Sequence, residues 1–477
     1  MPVKKRYFFV ASSGKMCHNK TNQSREDTYV ETKEAASKRG WKGFTRAEKS
    51  WIMYDWANSI YATNISAAIF PIFWGMIIAN LANKGTIDTV YGYAVSASNL
   101  IVALLSPFLG AIGDFKGMKK KLWRAFLLIG ALSSLLMALL GNWVLLLVAF
   151  IISHIGFSGS CMFYDSFLTD VTTSDRMDKV SAWGYAMGYI GGSTIPFILS
   201  IAIMIILGTD NLLGYRIAIG LVPVWWLLFS IPFWKNVEQK HYVETPPSEL
   251  GKAALRNTLH TFRDIVSNKA ILFFILAYFF YIDGVGTIIN MATKYGDTLG
   301  LGAIGMILAL LVTQIVAMPF SIFFGNWGKK YGALKLIGIA VAVYAFITVL
   351  GFAMGALIDF RDKLGFTEEK AISISQVLFW VLATLVGTVQ GGIQALSRSY
   401  YGQLIPPERS NEFYGFLDVF GKFAAVIGPA LYSLFYGITG KSSIGILSII
   451  LLFIVGGIFL IVGKPYFKQI QHDPVEE

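Results

Sequence analysis

Long apolar runs alternate with short polar breaks along the chain, and this pattern predicts a bundle of transmembrane helices. A run of about 20 apolar residues is long enough to cross a bilayer. Six predicted spans precede a polar stretch at 235–269 and six follow it; they lie near 51–80, 89–112, 122–140, 143–167, 182–207, 215–234, 270–291, 303–325, 336–357, 373–396, 416–436 and 443–463. The sequence therefore predicts an all-α integral membrane protein whose twelve transmembrane helices form two pseudo-symmetric six-helix bundles.

The polar segments outside the bundles predict the domain boundaries. The bundles are expected at 49–234 and 270–463, with a linker at 235–269 between them and polar tails at 1–48 and 464–477. Within the linker, apolar residues recur at spacings of four, three and four with basic residues among them; they are Leu255, Leu259, Phe262 and Val266. This pattern is typical of an amphipathic helix that lies in the membrane interface.

Composition agrees with a membrane protein and excludes an ordinary soluble one. The chain is 55% hydrophobic, with a mean hydropathy of +0.57. Only 14% of its residues are charged, whereas a soluble domain has about 25%. The two cysteines, Cys17 and Cys161, provide neither a disulfide framework nor a metal-binding spacing.

Lysine and arginine residues are concentrated on one side of the predicted membrane. The tails, the linker and the loops on their side hold 32 of the 40, whereas the opposite loops hold seven. Cytosolic loops carry such an excess, so both termini are expected in the cytosol. The net charge of +11 is thereby explained by topology, and no nucleic-acid partner is expected.

Two sequence matches indicate that the bundles are related by duplication. Gly110-Ala-Ile-Gly-Asp-Phe-Lys-Gly-Met-Lys-Lys120 and Gly325-Asn-Trp-Gly-Lys-Lys-Tyr-Gly-Ala-Leu-Lys335 both read Gly-x3-charged-x2-Gly-x2-Lys, at an offset of 215 residues. A second match runs at an offset of 233, pairing Asp175-Arg176 with Glu408-Arg409 and Gly188 with Gly421. Internal repeats of this kind are typical of secondary transporters.

The Gly110–Lys120 stretch resembles the loop motif of the major facilitator superfamily. Tyr54-Asp-Trp-Ala-Asn-Ser59, Phe163-Tyr-Asp-Ser-Phe-Leu168, the glycine-rich run 184–192 and Asp283-Gly-Val285 together resemble the branch that holds fungal vacuolar amino-acid effluxers and their bacterial relatives. The resemblance covers about 48–463. It implies the major facilitator fold, alternating access and solute export, in a plasma membrane if the source is bacterial or a vacuolar-type membrane if it is fungal.

Ionisable residues inside predicted spans are candidates for solute or ion coupling, because a charge in hydrocarbon is costly. In the first span, Asp55 could take a proton or cation, with Asn58 as a neutral ligand on the same helix face; the alternative is a carboxylate at the helix entry that bonds to a basic loop. In the seventh span, Asp283 is flanked by Gly284 and Gly286, which permit a helix break at a binding site. Its alternative role is a structural ion pair.

Other candidates lie in the fourth, tenth and eleventh spans. Asp418 and Lys422 are four residues apart and are expected to neutralise one another; alternatively, Lys422 pairs across the bundle with Asp283 or Asp165. Polar side chains spaced four apart form a stripe that suits a solute carboxylate, namely Gln390, Gln394 and Arg398. Tyr164 and Asp165 are added from the fourth span, where His154 is interpreted as a helix-packing residue.

Two glycine-rich segments predict gating and packing roles. The loop residues Gly110, Asp114, Gly117 and Lys120 predict a gate, in which Asp114 caps a neighbouring helix and holds one side closed; an ordinary topology-setting loop is the alternative. In the fifth span, Gly184, Gly188 and Gly192 are expected to let helices approach closely. The run resembles a signature of proton antiporters, except that Tyr189 replaces its proline.

These observations predict a secondary transporter that exports a small polar solute such as an amino acid, driven by a proton or sodium gradient. Uptake of sugars or glycosides with a cation and export of a lipid or drug remain as alternatives, as does a receptor or scaffold that transports nothing. The chain carries no enzyme motif, and neither a cofactor nor a metal is expected. Membrane lipid is the expected surrounding, and the chain is expected to act as a monomer.

Overall fold

The predicted all-α architecture is present in a computed structural model, which describes residues 40–81, 83–244 and 250–472. Twelve helices in these residues are long and apolar enough to cross a membrane, which confirms the predicted fold class. The first six are α1 (Arg46–Ile78), α2 (Lys84–Gly113), α3 (Met118–Leu139), α4 (Trp143–Val171), α5 (Ser174–Leu207) and α6 (Leu212–Asn236). A linker helix, α7 (Leu250–Ser267), precedes α8 (Lys269–Thr298), α9 (Ala303–Tyr331), α10 (Ala333–Asp359), α11 (Glu368–Leu404), α12 (Pro407–Thr439) and α13 (Ser442–Phe467).

Helix ends follow local capping chemistry. The side chains of Asn142, Asn211 and Asn268 accept hydrogen bonds from backbone N–H groups in the first turns of α4, α6 and α8, which have no partner inside the helix. At other ends, glycines such as Gly440 adopt a positive φ. Several helices continue beyond their apolar runs; α11, for example, reaches Leu404, because its polar last turns are buried between the two halves.

Two membrane-spanning helices contain π-helical segments, whereas the helix break that the sequence suggested is not found. Tyr61–Ala67 in α1 and Gly188–Thr194 in α5 are π-helical. In contrast, α8 runs unbroken through Asp283, so the predicted break is wrong. Gly284 lies where an added Cβ would meet the ring of Phe453 at 2.6 Å, and this close packing explains the glycine without a break.

The linker lies against the loop between α2 and α3. Val243 forms an isolated parallel bridge with Phe115, and its N–H donates to the Asp114 carbonyl at 2.8 Å. Gly40–Gly43, at the start of the described chain, form a 3-10 turn in a unit that ends at Thr45. The predictions for 1–39, 245–249 and 473–477 lie outside the described residues, and the domain boundaries remain a prediction.

The two six-helix halves meet at one side of the bundle. We call it the basic side, since the sequence concentrates lysine and arginine there; it is the side at which α1 begins. Near it, α2 packs against α12, and the first part of α5, Met177–Met187, packs against α9 and α11. The structure is therefore closed on the basic side, which the positive-inside rule predicts to be cytosolic.

Candidate functional site

A buried ion-pair cluster joins the two halves near the basic side. Arg398 of α11 donates from Nη1 to Asp165 of α4 at 2.9 Å and from Nη2 to Asp55 of α1 at 3.2 Å. Its Nε donates to the Ser181 hydroxyl on α5 at 2.9 Å. Arg398 is only 5% exposed, whereas the Asp165 side chain is 35% exposed. One guanidinium from the second half is thus held by two carboxylates from the first, which leaves one excess negative charge if both are ionised.

Aromatic rings surround the guanidinium of this Arg398 cluster. Its Cζ lies 4.6 Å from the ring centre of Trp51, 5.4 Å from that of Tyr164 and 4.4 Å from that of Tyr185. Such contacts favour a cation and exclude water from it. Gly184 lies beside the cluster, where an added Cβ would meet the Asp55 carboxylate. The predicted residues Asp55, Tyr164, Asp165 and Arg398 therefore lie at one site.

Two members of the cluster occupy equivalent positions in the two halves, which are related by pseudo-twofold symmetry. The offset of 233 residues found in the sequence also relates Asp165 to Arg398 and Ser166 to Ser399. Ser166 donates to Asn411, and Ser399 donates to Asp178 at 2.6 Å. Since Asp178 and Asn411 are themselves related by 233, the two serine contacts are symmetric equivalents. The ion pair between Asp165 and Arg398 thus joins two equivalent positions of opposite charge.

Asp114 directly follows α2 in the first half, and its side chain contacts the start of α12 in the second half. Its carboxylate accepts from the backbone N–H of Asn411 at 2.9 Å and of Glu412 at 3.0 Å, where the helix dipole favours an anion. Burial raises the pKa of Asp114 to about 7, against the lowering effects of Lys119 and of the Asn411 and Glu412 hydrogen bonds. An added Cβ on Gly110 would meet the Asn411 carbonyl, so the glycine permits this approach. Whether these contacts gate transport remains a prediction.

A second buried ion pair, besides those of Arg398, lies near Asp114. Lys119 is fully buried and donates to Asp170 at 2.7 Å and to the Ser410 hydroxyl at 3.0 Å. Asp170 also accepts from the backbone N–H groups of Lys240 and His241 at 2.9 Å. Lys119, rather than the neighbouring Lys120 of the predicted gate, therefore reaches the second half; Lys120 is half-buried. The pair connects α3, α4, the linker and α12.

Asp283 is separate from the Arg398 cluster. It is 1% exposed, its Oδ2 accepts from the Gly428 N–H at 2.9 Å, and Thr287 donates to its Oδ1 at 3.3 Å. Among the ion pairs of the described residues, none includes Asp283. A buried carboxylate without a counter-ion is stable only when neutral. Asp283 thus differs from Asp55, Asp165 and Asp418, each of which lies beside a basic side chain.

Lys422 pairs within its own helix. Its Nζ lies 3.1 Å from Asp418, and the other Asp418 oxygen accepts from the Ser106 hydroxyl of α2 at 2.8 Å. The expected intrahelical pair is the one observed. The cross-bundle pair that the sequence suggested for Lys422 is made instead by Arg398.

An apolar pocket lies within the second half. Its empty volume, including the open mouth, is about 760 Å³, and it is lined by residues of α8–α11 and α13. Gln390 lines it together with Gln314, Thr313 and Thr348, whereas the Gln394 side chain donates back to the Gln390 carbonyl at 3.2 Å. The predicted polar stripe of α11 therefore does not form one site: Gln390 lines the pocket, whereas Arg398 belongs to the cluster.

The remaining predicted residues have packing positions. Asn58 is buried in α1, and Gly188 and Gly192 lie where an added Cβ would meet Ser59, while Gly117 adopts a positive φ of 72° at the start of α3. His154 contacts the Ser98 hydroxyl at 3.2 Å. No group of residues in the described parts of the chain is arranged to hold a metal ion.

Among the polar residues that join the halves, sequence reasoning missed Asp178, Ser181 and Asn411. It also missed Asp170, which joins Lys119 to the linker. Each lies at or near a helix end, where a polar residue is ordinarily assigned to solvent. The offset of 233 could have indicated Asp178 and Asn411, since it places both at the same point of the repeat.

Comparisons with known proteins agree with this architecture. The sequence profile of the family described as vacuole effluxer Atg22-like matches residues 45–464. The uncharacterised MFS-type transporter YxiO of Bacillus subtilis (strain 168) is 40% identical over 427 residues, covering 88% of this chain and 95% of that protein. Autophagy-related protein 22 of Coccidioides immitis (strain RS) is 23% identical over 410 residues, covering 71% of this chain and 66% of that one. The crystal structure of the human organic anion transporter MFSD10 (TETRAN) has a TM-score of 0.62 at 12% identity, covering 87% and 99% of the two chains.

Proposed function

Because the chain belongs to the Atg22-like vacuole effluxer family of the major facilitator superfamily, whose members are secondary transporters rather than enzymes, we propose that it exchanges zwitterionic amino acids for protons. The observation that carries this proposal is the Arg398 cluster, in which opposite charges from the two halves are paired directly. The transport cycle must separate these charges whenever the basic side opens.

An amino acid supplies the charges that separation leaves unpaired. Its carboxylate matches Arg398 as a bidentate partner, and its ammonium group matches Asp55 or Asp165. The solute would then bridge the two halves in place of the direct ion pairs. A sugar offers neither charge, and an organic anion would leave the carboxylates unpaired in a low-dielectric site. A zwitterion is therefore the solute class that fits the cluster best.

The excess negative charge of the cluster provides a coupling mechanism. A proton bound to Asp55 or Asp165 and the solute ammonium group would compete for the same carboxylates. When two ligands compete for one site, the transporter carries the solute in one direction and the proton in the other, which is antiport. An inward proton gradient would therefore drive solute out of the cytosol. This direction depends on the predicted orientation, with both termini in the cytosol.

Asp283 lacks the surroundings of a sodium site. Sodium is bound by several oxygen ligands, whereas Asp283 is met by the Gly428 N–H and a single hydroxyl. In α8 the carboxyl group would remain protonated through the cycle. Asp283→Asn should therefore leave the pH dependence of exchange unchanged; a flattened pH profile in this variant would place the coupling proton on Asp283 instead.

The test is exchange in proteoliposomes that contain purified protein. Vesicles loaded with a mixture of labelled neutral amino acids are diluted into buffers that differ in pH and in unlabelled competitor. Efflux is expected to accelerate when the outside is acidic and to respond to outside amino acids, which exchange with the labelled ones, but not to sugars. Efflux that ignores both the pH difference and the competitor would refute the proposal.

Matched variants assign the activity to the cluster. Arg398→Gln should abolish amino-acid exchange, because the solute carboxylate loses its partner. Lys329→Gln is the control, since Lys329 also pairs across the halves, with Asp175 at 3.6 Å, but both side chains are more than 60% exposed. Equal activity in the two variants would show that Arg398 does not bind the solute.

A second candidate, export of an amphiphile, is favoured by the apolar pocket. The pocket is lined mainly by aliphatic and aromatic side chains, and it would accept the apolar part of a lipid or drug. The same proteoliposomes distinguish the two functions, since a fluorescent amphiphile loaded into them would then be exported and labelled amino acids would not.

A further inference from the structure

The linker helix α7 presents three different faces along its length. Ala253 and Ala254 pack against Ala111 and Phe115 at the end of α2. Farther along the same face, Asp264 accepts from Arg409 at 2.6 Å, at the start of α12. One face of α7 therefore attaches to both halves of the transporter at the basic side.

A second face of α7 is apolar and uncovered. Leu255, Leu259, Phe262 and Val266 are 57%, 67%, 53% and 49% exposed. Successive positions on a helix are rotated by about 100°, so spacings of four, three and four place all four side chains in one narrow stripe. The stripe borders the face that packs on the protein.

A third face is basic and lies beyond the apolar stripe. The exposed side chains of Lys252, Arg256 and Arg263 follow it around the helix by roughly a quarter of a turn. Protein-packed, apolar and basic surfaces therefore succeed one another around α7. This is the order required of a helix that lies flat at a membrane surface beside its own bundle, because long basic side chains extend from the apolar level toward the headgroups.

The position of α7 relative to the bilayer is fixed by its attachment. Only Asn268 separates the end of α7 at Ser267 from Lys269, the first residue of the membrane-spanning α8. The apolar stripe is thus held where α8 enters the membrane. At that level hydrocarbon is available to the stripe and lipid headgroups are available to the basic face.

We propose that α7 binds anionic phospholipids of the basic-side leaflet and that this binding stabilises the conformation closed on that side. The second part follows from the attachments of α7, since one rigid helix contacts α2 and α12 only while these two helices are together. A membrane rich in anionic lipid would therefore favour the closed conformation. The inference is independent of the solute.

The location of the apolar stripe is tested with a fluorescent probe. Leu259→Cys, in a chain with Cys17→Ala and Cys161→Ala, is labelled with an environment-sensitive fluorophore in lipid nanodiscs. Quenching by lipids that carry a spin label near the headgroup, together with protection from aqueous iodide, is expected. Quenching by iodide alone would overturn the proposal, because the stripe would then lie in water.

The lipid preference is tested by the melting temperature in nanodiscs of phosphatidylcholine with and without phosphatidylglycerol. The parent is expected to melt at a higher temperature in the anionic nanodiscs. A variant with Lys252, Arg256 and Arg263 all replaced by glutamine should lose this difference. The matched control replaces three exposed basic-side lysines outside α7, namely Lys329, Lys330 and Lys335, and should retain it.

The opposing results are distinct. If the control variant loses the difference equally, general surface charge explains the lipid effect and the assignment to α7 is wrong. If neither variant changes it, α7 does not recognise the headgroups. Because neither measurement involves transport, failure of the amino-acid proposal would leave both results unaffected.

Discussion

Arg398→Gln should open the basic side of the transporter. The substitution removes the guanidinium from two carboxylates, one at 2.9 Å and one at 3.2 Å. Removing one member of a buried ion pair costs about 3–5 kcal/mol, because the remaining charge is left without a partner. The lower figure applies to this cluster, since the Asp165 side chain is 35% exposed.

The cost falls on the closed conformation, because the carboxylates become hydrated once the halves separate. A change of about 3 kcal/mol shifts the equilibrium between closed and open forms on the order of 100-fold toward the open form. The free energy of opening should fall by this amount, while the helices themselves remain folded.

Opening is measured by thiol labelling at the interface between the halves. Ala395 is fully buried, and its carbonyl accepts from the Ser181 hydroxyl at 2.8 Å, so Ala395→Cys reports separation of α5 from α11. A bulky maleimide, applied to a chain without Cys17 and Cys161, should react about 100-fold faster in the Arg398→Gln variant than in its parent.

Two further variants make the result interpretable. Lys329→Gln removes an exposed pair between the halves and should change the labelling rate less than about fivefold, since surface pairs contribute about 0–1 kcal/mol. Combining Arg398→Gln with Asp55→Asn and Asp165→Asn should return the rate toward that of the parent, because no unpaired charge remains. Equal labelling of the parent and the Arg398→Gln variant would refute this account of closure.

Three further perturbations test the surrounding contacts. In the closed form the pKa of Asp114 is about 7 rather than the ordinary 3.8, so the closed form binds more protons than the open form between these values and is stabilised as the pH falls. Maleimide labelling, normalised to denatured protein, should therefore be slower at pH 6 than at pH 8. Asp114→Asn should remove this difference. Gly110→Ala should speed labelling, because its Cβ would meet the backbone of α12, whereas Gly92→Ala in the same helix meets no atom within 4 Å and should not. Asp170→Asn should destabilise the protein by about 3 kcal/mol in a denaturation assay, because Lys119 would be left buried and unpaired; an unchanged midpoint would contradict this.

The sequence was sufficient to predict the helices, but not which charges meet. Apolar periodicity and lysine distribution depend on composition along the chain, so twelve spans could be counted directly. The choice between Lys422 and Arg398 as the cross-bundle cation depends on how α11 and α12 are rotated about their axes, which the spacing of charges within one helix does not determine. Gly284 was misinterpreted for a related reason, since a glycine that permits a break and one that admits Phe453 have the same sequence signature.

The symmetry-related position of Asp165 and Arg398 has a consequence for the origin of the protein. Two identical subunits assembled about the same axis would place the same amino acid at both positions, so the contact would hold either two like charges or two neutral groups. An ion pair between these positions can arise only after gene duplication allows each copy to mutate alone. An ancestor made of two identical halves therefore could not have had the ion pair that now joins Asp165 to Arg398.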